Sequence, residues 1–332
     1  MSAFDLALNN LLSPMVLFFA LGLGAALARS DLSMPEAIAK FLALYLMMAI
    51  GFKGGAAVAK SGVDLKLLGV MAAGIVLSAL IPLLGFALLR LTTRMSTVDA
   101  AAVAAHYGSI SIVTFVAATQ TLAALGLSYE GYLIAVAAVM ETPAILTALL
   151  LVRRAGTAAR SPDEPSEPLG KLLHEIGLNA SVVMLVGSFA IGWITGERGM
   201  AAIQPFIGDL FFGMICLFLL DMGLVAGRGM REGRKSLSLQ AVAFGLYMPL
   251  ISAALAALAC LALGLSLGGT ALMITLAASA SYIAVPAAMR LALPEAKPSI
   301  YLTMSLGVTF PFNLTLGIPL YVWLAGLVTG AR

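Results

Sequence analysis

Apolar residues in this chain, rich in Leu and Ala, run on for about twenty positions at a time, and charged residues collect between the runs. The runs predict helices from about Asn10 to Ala28, Pro35 to Val58, Asp64 to Leu91, Thr97 to Leu122 and Ser128 to Val152. After a polar, proline-rich stretch the pattern resumes at about Leu178 to Thr195, Ile203 to Ala226, Leu237 to Gly264, Gly269 to Met289 and Ser299 to Leu327. A transmembrane barrel would need alternating segments of about ten residues, and these runs are continuous. The expected fold is all-α and integral to the membrane, with roughly ten transmembrane helices.

Two runs are interrupted at membrane depth. Ala105-His106-Tyr107-Gly108-Ser109-Ile110-Ser111-Ile112-Val113-Thr114 puts hydroxyls and a glycine where an unbroken apolar helix would otherwise run, and Ala278-Ser279-Ala280-Ser281-Tyr282-Ile283-Ala284-Val285-Pro286 repeats the Ser-x-Ser. Lipid tolerates such a break only where the freed N–H and C=O groups are buried in protein or face water. Both stretches are therefore expected to be discontinuous helices forming a site.

The halves match in order at a spacing of 168 to 172 residues: Leu8-Asn9 with Leu178-Asn179, Gly51 with Gly223, Ser109-x-Ser111 with Ser279-x-Ser281, Tyr132 with Tyr301, Pro143 with Pro311. This reads as a duplication, residues 1–152 and 172–332, joined by a cytoplasmic linker over 153–171. An odd number of helices per half turns the second copy upside down, giving two inverted five-helix repeats with crossed broken helices. Charge supports a topology with the N-terminus outside. That choice places Arg29, Lys40, Arg90, Arg94, Arg153, Arg154, Arg160, Lys171, Arg228, Arg231, Arg234, Lys235, Arg290 and Lys297 inside, against Lys53, Lys60, Lys66, Arg198 and Arg332 outside. Both termini are then extracytoplasmic.

Composition agrees. Of 332 residues, 61% are hydrophobic and 11% charged, leaving no room for a sizeable soluble domain. The net charge is +3 with its basic residues between spans, so nucleic-acid binding has no support. Cys216 and Cys260 fall within apolar runs, which argues against a disulfide or zinc site. Residues 11–28 end in small residues, but Asp5 rather than a basic residue precedes them, so the first span is expected to be retained rather than cleaved.

Where half-helix ends meet at mid-membrane, N-termini suit anions and C-termini suit cations. Gly108, Ser109, Ser111, Thr114, Ser279, Ser281 and Tyr282 are the expected substrate-binding residues. Neither break contains Lys or Arg, so an anion there would be held by hydroxyls and dipoles, weakly or together with a cation. For cation binding or coupling the candidates are Glu141, the intramembrane acid following the first break, with Asn313 in the corresponding part of the last helix, and His106. The bland alternatives are hydroxyls bonding back to carbonyls one turn earlier, Lys53 snorkelling to the interface, Asp221 paired with Arg228, and His174 on the surface. No phosphate loop, His-Glu-x-x-His motif or Ser/His/Asp order points to catalysis, and no cofactor beyond a co-transported ion is expected.

The run Tyr107 to Thr114, Ser128-Tyr129-Glu130, Met140-Glu141-Thr142-Pro143-Ala144, Ala277 to Tyr282, Pro286, Arg290, Pro294, Pro298-Ser299 and Ile318-Pro319-Leu320 resembles the sodium-dependent bicarbonate transporter family of bacteria. The resemblance covers nearly the whole chain. It implies a core domain moving against a gate domain, a homotrimer in the bacterial plasma membrane, and sodium-coupled uptake of a small anion such as bicarbonate. The chain departs from the family where Ser-Gly-Ser-Thr becomes Ser111-Ile112-Val113-Thr114, where an aspartate followed by Ile-Ser-Gly-Pro becomes Tyr282-Ile283-Ala284-Val285-Pro286, and where Met-Asp-Ile-Pro becomes Met140-Glu141-Thr142-Pro143. Those departures leave room for a larger or less polar anion, or for coupling through Glu141 alone, by sodium or by protons. A membrane sensor or scaffold that has kept the fold without transport is the alternative from another class, and an intramembrane enzyme is a third with one central glutamate behind it.

Overall fold

A computed structural model describes residues 11–62, 64–154, 178, 180–233, 238–283, 285, 286, 289 and 293–330. Leu8, Asn9, Asn179, His174, Ala284, Arg290 and most of the expected linker lie outside the described residues. Among the described residues the regular structure is entirely helical. In order the helices are α1 (Pro14–Leu27), α2 (Glu36–Ser61), α3 (Leu65–Thr92), α4 (Thr97–Gly108), α5 (Ile112–Ala124), α6 (Leu133–Val139) and α7 (Glu141–Arg154). There follow α8 (Ala180–Gln204), α9 (Phe211–Gly233), α10 (Leu239–Leu263), α11 (Leu267–Ala278) and the long α12 (Pro298–Thr329).

Side-chain oxygens set half of the starts. Ser13, Asp64, Ser96, Ser111, Ser238 and Ser266 each accept a hydrogen bond from an N–H in the first turn of the helix they precede, which satisfies donors that have no partner within the helix. Pro311 lacks an N–H, and α12 winds as a π-helix on both sides of it, over Thr303–Thr309 and Asn313–Gly317. In α8 the backbone at Gly196 adopts φ 55°, a left-handed turn that ends the straight part of the helix. The expected seventh helix starts later than its apolar pattern suggests, at Phe211, because Pro205 opens a π-turn over Pro205–Asp209 continuous with α8.

Among the described residues, seven stretches are long and apolar enough to cross a bilayer: Glu36–Lys60, Leu65–Thr92, Thr97–Ala124, Leu133–Val152, Phe211–Arg231, Leu239–Leu263 and Pro298–Thr329. The helices α1 and α11 are apolar but shorter. Burial sorts them. The α4–α5 stretch is buried throughout from Asp99 to Ala118, whereas α3 and α10 turn Leu68, Val76, Leu258 and Leu261 outward, as lipid-facing helices do.

The packing repeats itself. Helix α1 lies along α9 and α2 along α8; α3 packs on α4 and α7, as α10 packs on α11 and α12; α4 meets α7 as α11 meets α12. Glycines let the first two pairs close up. A methyl group at Gly22 would fall 2.0 Å from the Leu220 carbonyl oxygen, and one at Gly192 2.2 Å from that of Phe52. Likewise Gly51 abuts the Leu185 carbonyl and Gly223 that of Phe19, at 2.4 and 2.1 Å from such a methyl. These are small-residue contacts of the kind that join helices in lipid, where apolar burial alone gives no preference for protein over acyl chain. Lys53, expected to snorkel, instead places its ammonium 3.8 Å from the centroid of the Phe211 ring on α9.

Two further ties hold the starts of the buried helices. The Asp99 carboxylate on α4 accepts from the Ser96 hydroxyl at 2.8 Å and from the Lys297 N–H at 2.9 Å, just before α12. At the start of α11 the Ser266 N–H and hydroxyl donate to Glu130 at 2.8 and 2.9 Å, just before α6.

Two substitutions in one interface test the packing. Gly223→Val meets main-chain atoms that cannot swing aside, and is expected to cost about 1–3 kcal/mol or more, read as a lower thermal midpoint in detergent. Gly24→Ala, on the neighbouring helix but with nothing within 4 Å of the added methyl, is expected to be neutral or to stabilise by up to about 1 kcal/mol.

Candidate functional site

Both interruptions exist, and each is narrower than the sequence pattern suggests. The first spans Ser109 to Ser111. Ser109 leaves α4 in an extended conformation (φ −89°, ψ 168°), and Ser111 opens α5, its hydroxyl oxygen accepting from the Thr114 N–H at 3.2 Å and the Thr114 hydroxyl at 2.9 Å. Gly108, expected within the break, is the last residue of α4. Its lack of a side chain serves packing, because a methyl there would lie 2.1 Å from Pro82 Cγ on α3. The second break begins at Ser279, which leaves α11 with almost the same backbone angles as Ser109 (φ −83°, ψ 165°) and continues through Ile283 without helix.

The breaks touch one another. The Ser111 N–H donates to Ser279 Oγ at 2.8 Å, and the Ser281 N–H donates to the His106 carbonyl at 2.7 Å. Ser279 Oγ in turn donates back to Leu276 O at 2.8 Å, so the bland reading of a hydroxyl bonded within its own helix and the reading of a cross-link both hold. His106, Ser109, Ser111, Thr114, Ser279 and Ser281 are all at most 3% exposed. Partial positive charge from the start of α5 and partial negative charge from the ends of α4 and α11 converge here among buried side chains.

The helices that follow brace each break in matching ways. Glu141, the first residue of α7 and 5% exposed, accepts from the Ser109 hydroxyl at 3.1 Å; its other oxygen has no hydrogen-bond donor among the described residues. Asn313, fully buried in the π-wound part of α12, donates from Nδ2 to Ala278 O at 3.0 Å. Its Oδ1 is already engaged by the Tyr321 hydroxyl at 2.7 Å, which lessens its value as a free cation ligand. His106 Nδ1 lies 2.6 Å from Ala102 O and its ring stacks on Tyr301 at 4.6 Å; Nε2 finds no partner among the described residues. With the proton on Nδ1, that Nε2 is an acceptor.

Composition-based reasoning passed over Thr309. Its hydroxyl donates to Gly245 O at 2.7 Å, so the 2.6 Å contact with Tyr107 Oη has the tyrosine as donor, tying α4 through α12 to α10. The Ser78 hydroxyl donates to Met140 O at 2.6 Å, at the joint between α6 and α7. Single hydroxyls on apolar helices carry no local signal, although Thr309 does precede Pro311 by two residues. Tyr282 packs edge-on against Phe310 at 5.2 Å, and its buried hydroxyl finds no hydrogen-bond partner among the described residues. Asp221 is buried on α9 and senses Arg228, but among the described residues the two form no direct ion pair. Beside the second break lies a cavity of about 240 Å³, walled by α2, α9, α12 and the break itself. Among the described residues no three His, Cys, Asp or Glu side chains converge, so the ligands on offer to a cation are separate carboxylate, hydroxyl and carbonyl oxygens.

No protein of curated function matches the chain. The family model described as the Na+-dependent bicarbonate transporter superfamily matches residues 14–326, nearly the full 332. With membrane-length helices wrapped around a buried polar crossing, this multi-pass membrane protein belongs to the Na+-dependent bicarbonate transporter superfamily.

Proposed function

We propose that the protein is a secondary active transporter that couples sodium to the uptake of bicarbonate or another small anion by alternating access. The observation that carries the reading is the pair of crossing bonds, Ser111 N–H to Ser279 Oγ and Ser281 N–H to His106 O, which make one buried polar centre from two discontinuous helices.

Three further features support it. The recurrence of helix pairings, and the 168-residue separation of the bonded Ser111 and Ser279, fit ten spans arranged as two inverted five-helix repeats with the axis passing near this bond. In that layout α3 to α7 and α10 to α12 form a core that holds both breaks, and α1, α2, α8 and α9 form a gate. The cavity of about 240 Å³ lies where gate helices α2 and α9 face the second break, as a substrate site between two moving bodies must. Ser109, Ser111, Ser279, Ser281 and the N–H groups of the breaks suit an anion. The free oxygen of Glu141 suits a sodium ion beside Ser109, with His106 Nε2 as a further acceptor. The resemblance adds a homotrimer in a bacterial plasma membrane with both termini outside.

Function can be read in proteoliposomes. Labelled bicarbonate is expected to accumulate under an inward sodium gradient and to stop accumulating when an ionophore dissipates it; uptake indifferent to the gradient would remove sodium coupling. Glu141→Gln is expected to lower gradient-driven uptake at least about tenfold with thermal stability largely kept, since only a charged cation ligand is lost. Normal sodium dependence in that variant would dismiss the role given to the residue. Ser279→Ala leaves the buried Ser111 N–H without its acceptor, at a cost of about 1–3 kcal/mol, and is expected to lower both the thermal midpoint and the uptake rate.

A further inference from the structure

The cavity beside the second break has walls of one kind and a floor of another. Ala39 and Ala43 on α2, Phe218 and Met222 on α9 and Leu306 on α12 present only hydrocarbon, thioether or ring surface. The floor is the break, where Tyr282 and Ile283 line the cavity. Their main-chain N–H groups donate no hydrogen bond among the described residues; Tyr282 is 6% exposed, Ile283 is half-buried, and the buried Tyr282 hydroxyl also finds no partner there. Donors held from water without an acceptor are costly, and an oxyanion supplies one. No Lys or Arg lines the space.

Size and lining together argue against bicarbonate filling it. A space of about 240 Å³ has room for an apolar body beside a group as small as the carboxyl of bicarbonate. That ion also carries a hydroxyl that the hydrocarbon walls could not satisfy. Replacing the hydroxyl of bicarbonate by an alkyl or aryl group gives an organic monocarboxylate, with the same planar pair of oxygens and an apolar body in place of the unsatisfied group.

We infer that this cavity binds an organic monocarboxylate, its two oxygens on the N–H groups of Tyr282 and Ile283 and its hydrocarbon body against Ala43, Phe218, Met222 and Leu306. This deepens the transport reading by naming the substrate class and rests on it for the movement itself. Ala39 and Ala43 stand one turn apart near the start of α2 and are partly exposed, so the cavity opens toward the membrane face at which α2 begins.

The test is a chain-length series on the purified full-length protein in proteoliposomes, with equilibrium binding of the same labelled acids measured in parallel. From acetate through propionate to butyrate, apparent affinity is expected to rise about fourfold per methylene, the equivalent of about 0.8 kcal/mol for each buried CH₂. Ala43→Phe, which fills the cavity, is expected to flatten that trend and weaken butyrate at least about tenfold. The wild-type series stands on its own should the variant fail to fold. Uptake of bicarbonate with no gain along the series would overturn the monocarboxylate inference and leave the transporter reading intact. Length-dependent binding without flux would keep the ligand class and remove transport. Neither binding nor uptake of any of these anions would overturn both.

Discussion

Inside a bilayer a polypeptide cannot leave N–H and C=O groups to water, and here two helices are broken at a depth where no water could make up the loss. The solution is reciprocal. Each break supplies what the other needs: Ser279 offers Ser111 an acceptor, and the carbonyl of His106 takes the N–H of Ser281. Most of the surrounding architecture protects that exchange. The chain from Asp99 to Ala118 is buried throughout, Glu141 and Asn313 brace the broken ends from the helices that follow, and Asp99 and Glu130 fasten the outer ends of α4 and α11.

Around this crossing, helices α1, α2, α8 and α9 are joined on another principle. Gly22 with Leu220 and Gly192 with Phe52 bring backbones into contact through the absence of side chains, giving rigid pairs with few polar ties. Against the second break those pairs meet apolar surface, with Phe218 and Met222 facing Tyr282 and Leu306 across a cavity. A body tied together by buried hydrogen bonds, lying against one that touches it through hydrocarbon, suits relative motion, since sliding apolar surfaces breaks no directional bond. The polar centre would then stay intact while access to it changes, which is the mechanical need of the proposed transport cycle.

The same division bears on selectivity. Direct bonds between the breaks consume much of their polarity: Ser279 Oγ is both donor and acceptor, Ser111 Oγ is held by Thr114, and Asn313 is held by Tyr321 and Ala278. Among the described residues, what remains open is a small set of N–H groups beside hydrocarbon, the Tyr282 hydroxyl, His106 Nε2 and one Glu141 oxygen. A site with few free polar groups and apolar walls discriminates by the fit of the substrate's carbon skeleton more than by hydrogen-bond count.

By itself the sequence determined the membrane class and the positions of both interruptions. Hydrophobic runs of bilayer length and out-of-place hydroxyls are local signals, written in consecutive residues. The family, too, was legible in motifs such as Met140 to Ala144. What only the tertiary structure decided is which polar groups remain free. Gly108 looked like part of the break and proved to be a packing residue against Pro82; Asn313 looked like an open ligand and proved to be engaged by Tyr321 and Ala278; Asp221 and Arg228 looked like a pair and make no direct contact. Thr309 and the cavity beside Tyr282 had no signature at all. The physical reason is that a hydrogen bond saturates: whether a serine, an asparagine or an N–H can take a ligand depends on the atom already facing it, and for the Ser111 N–H that atom lies 168 residues away in the chain.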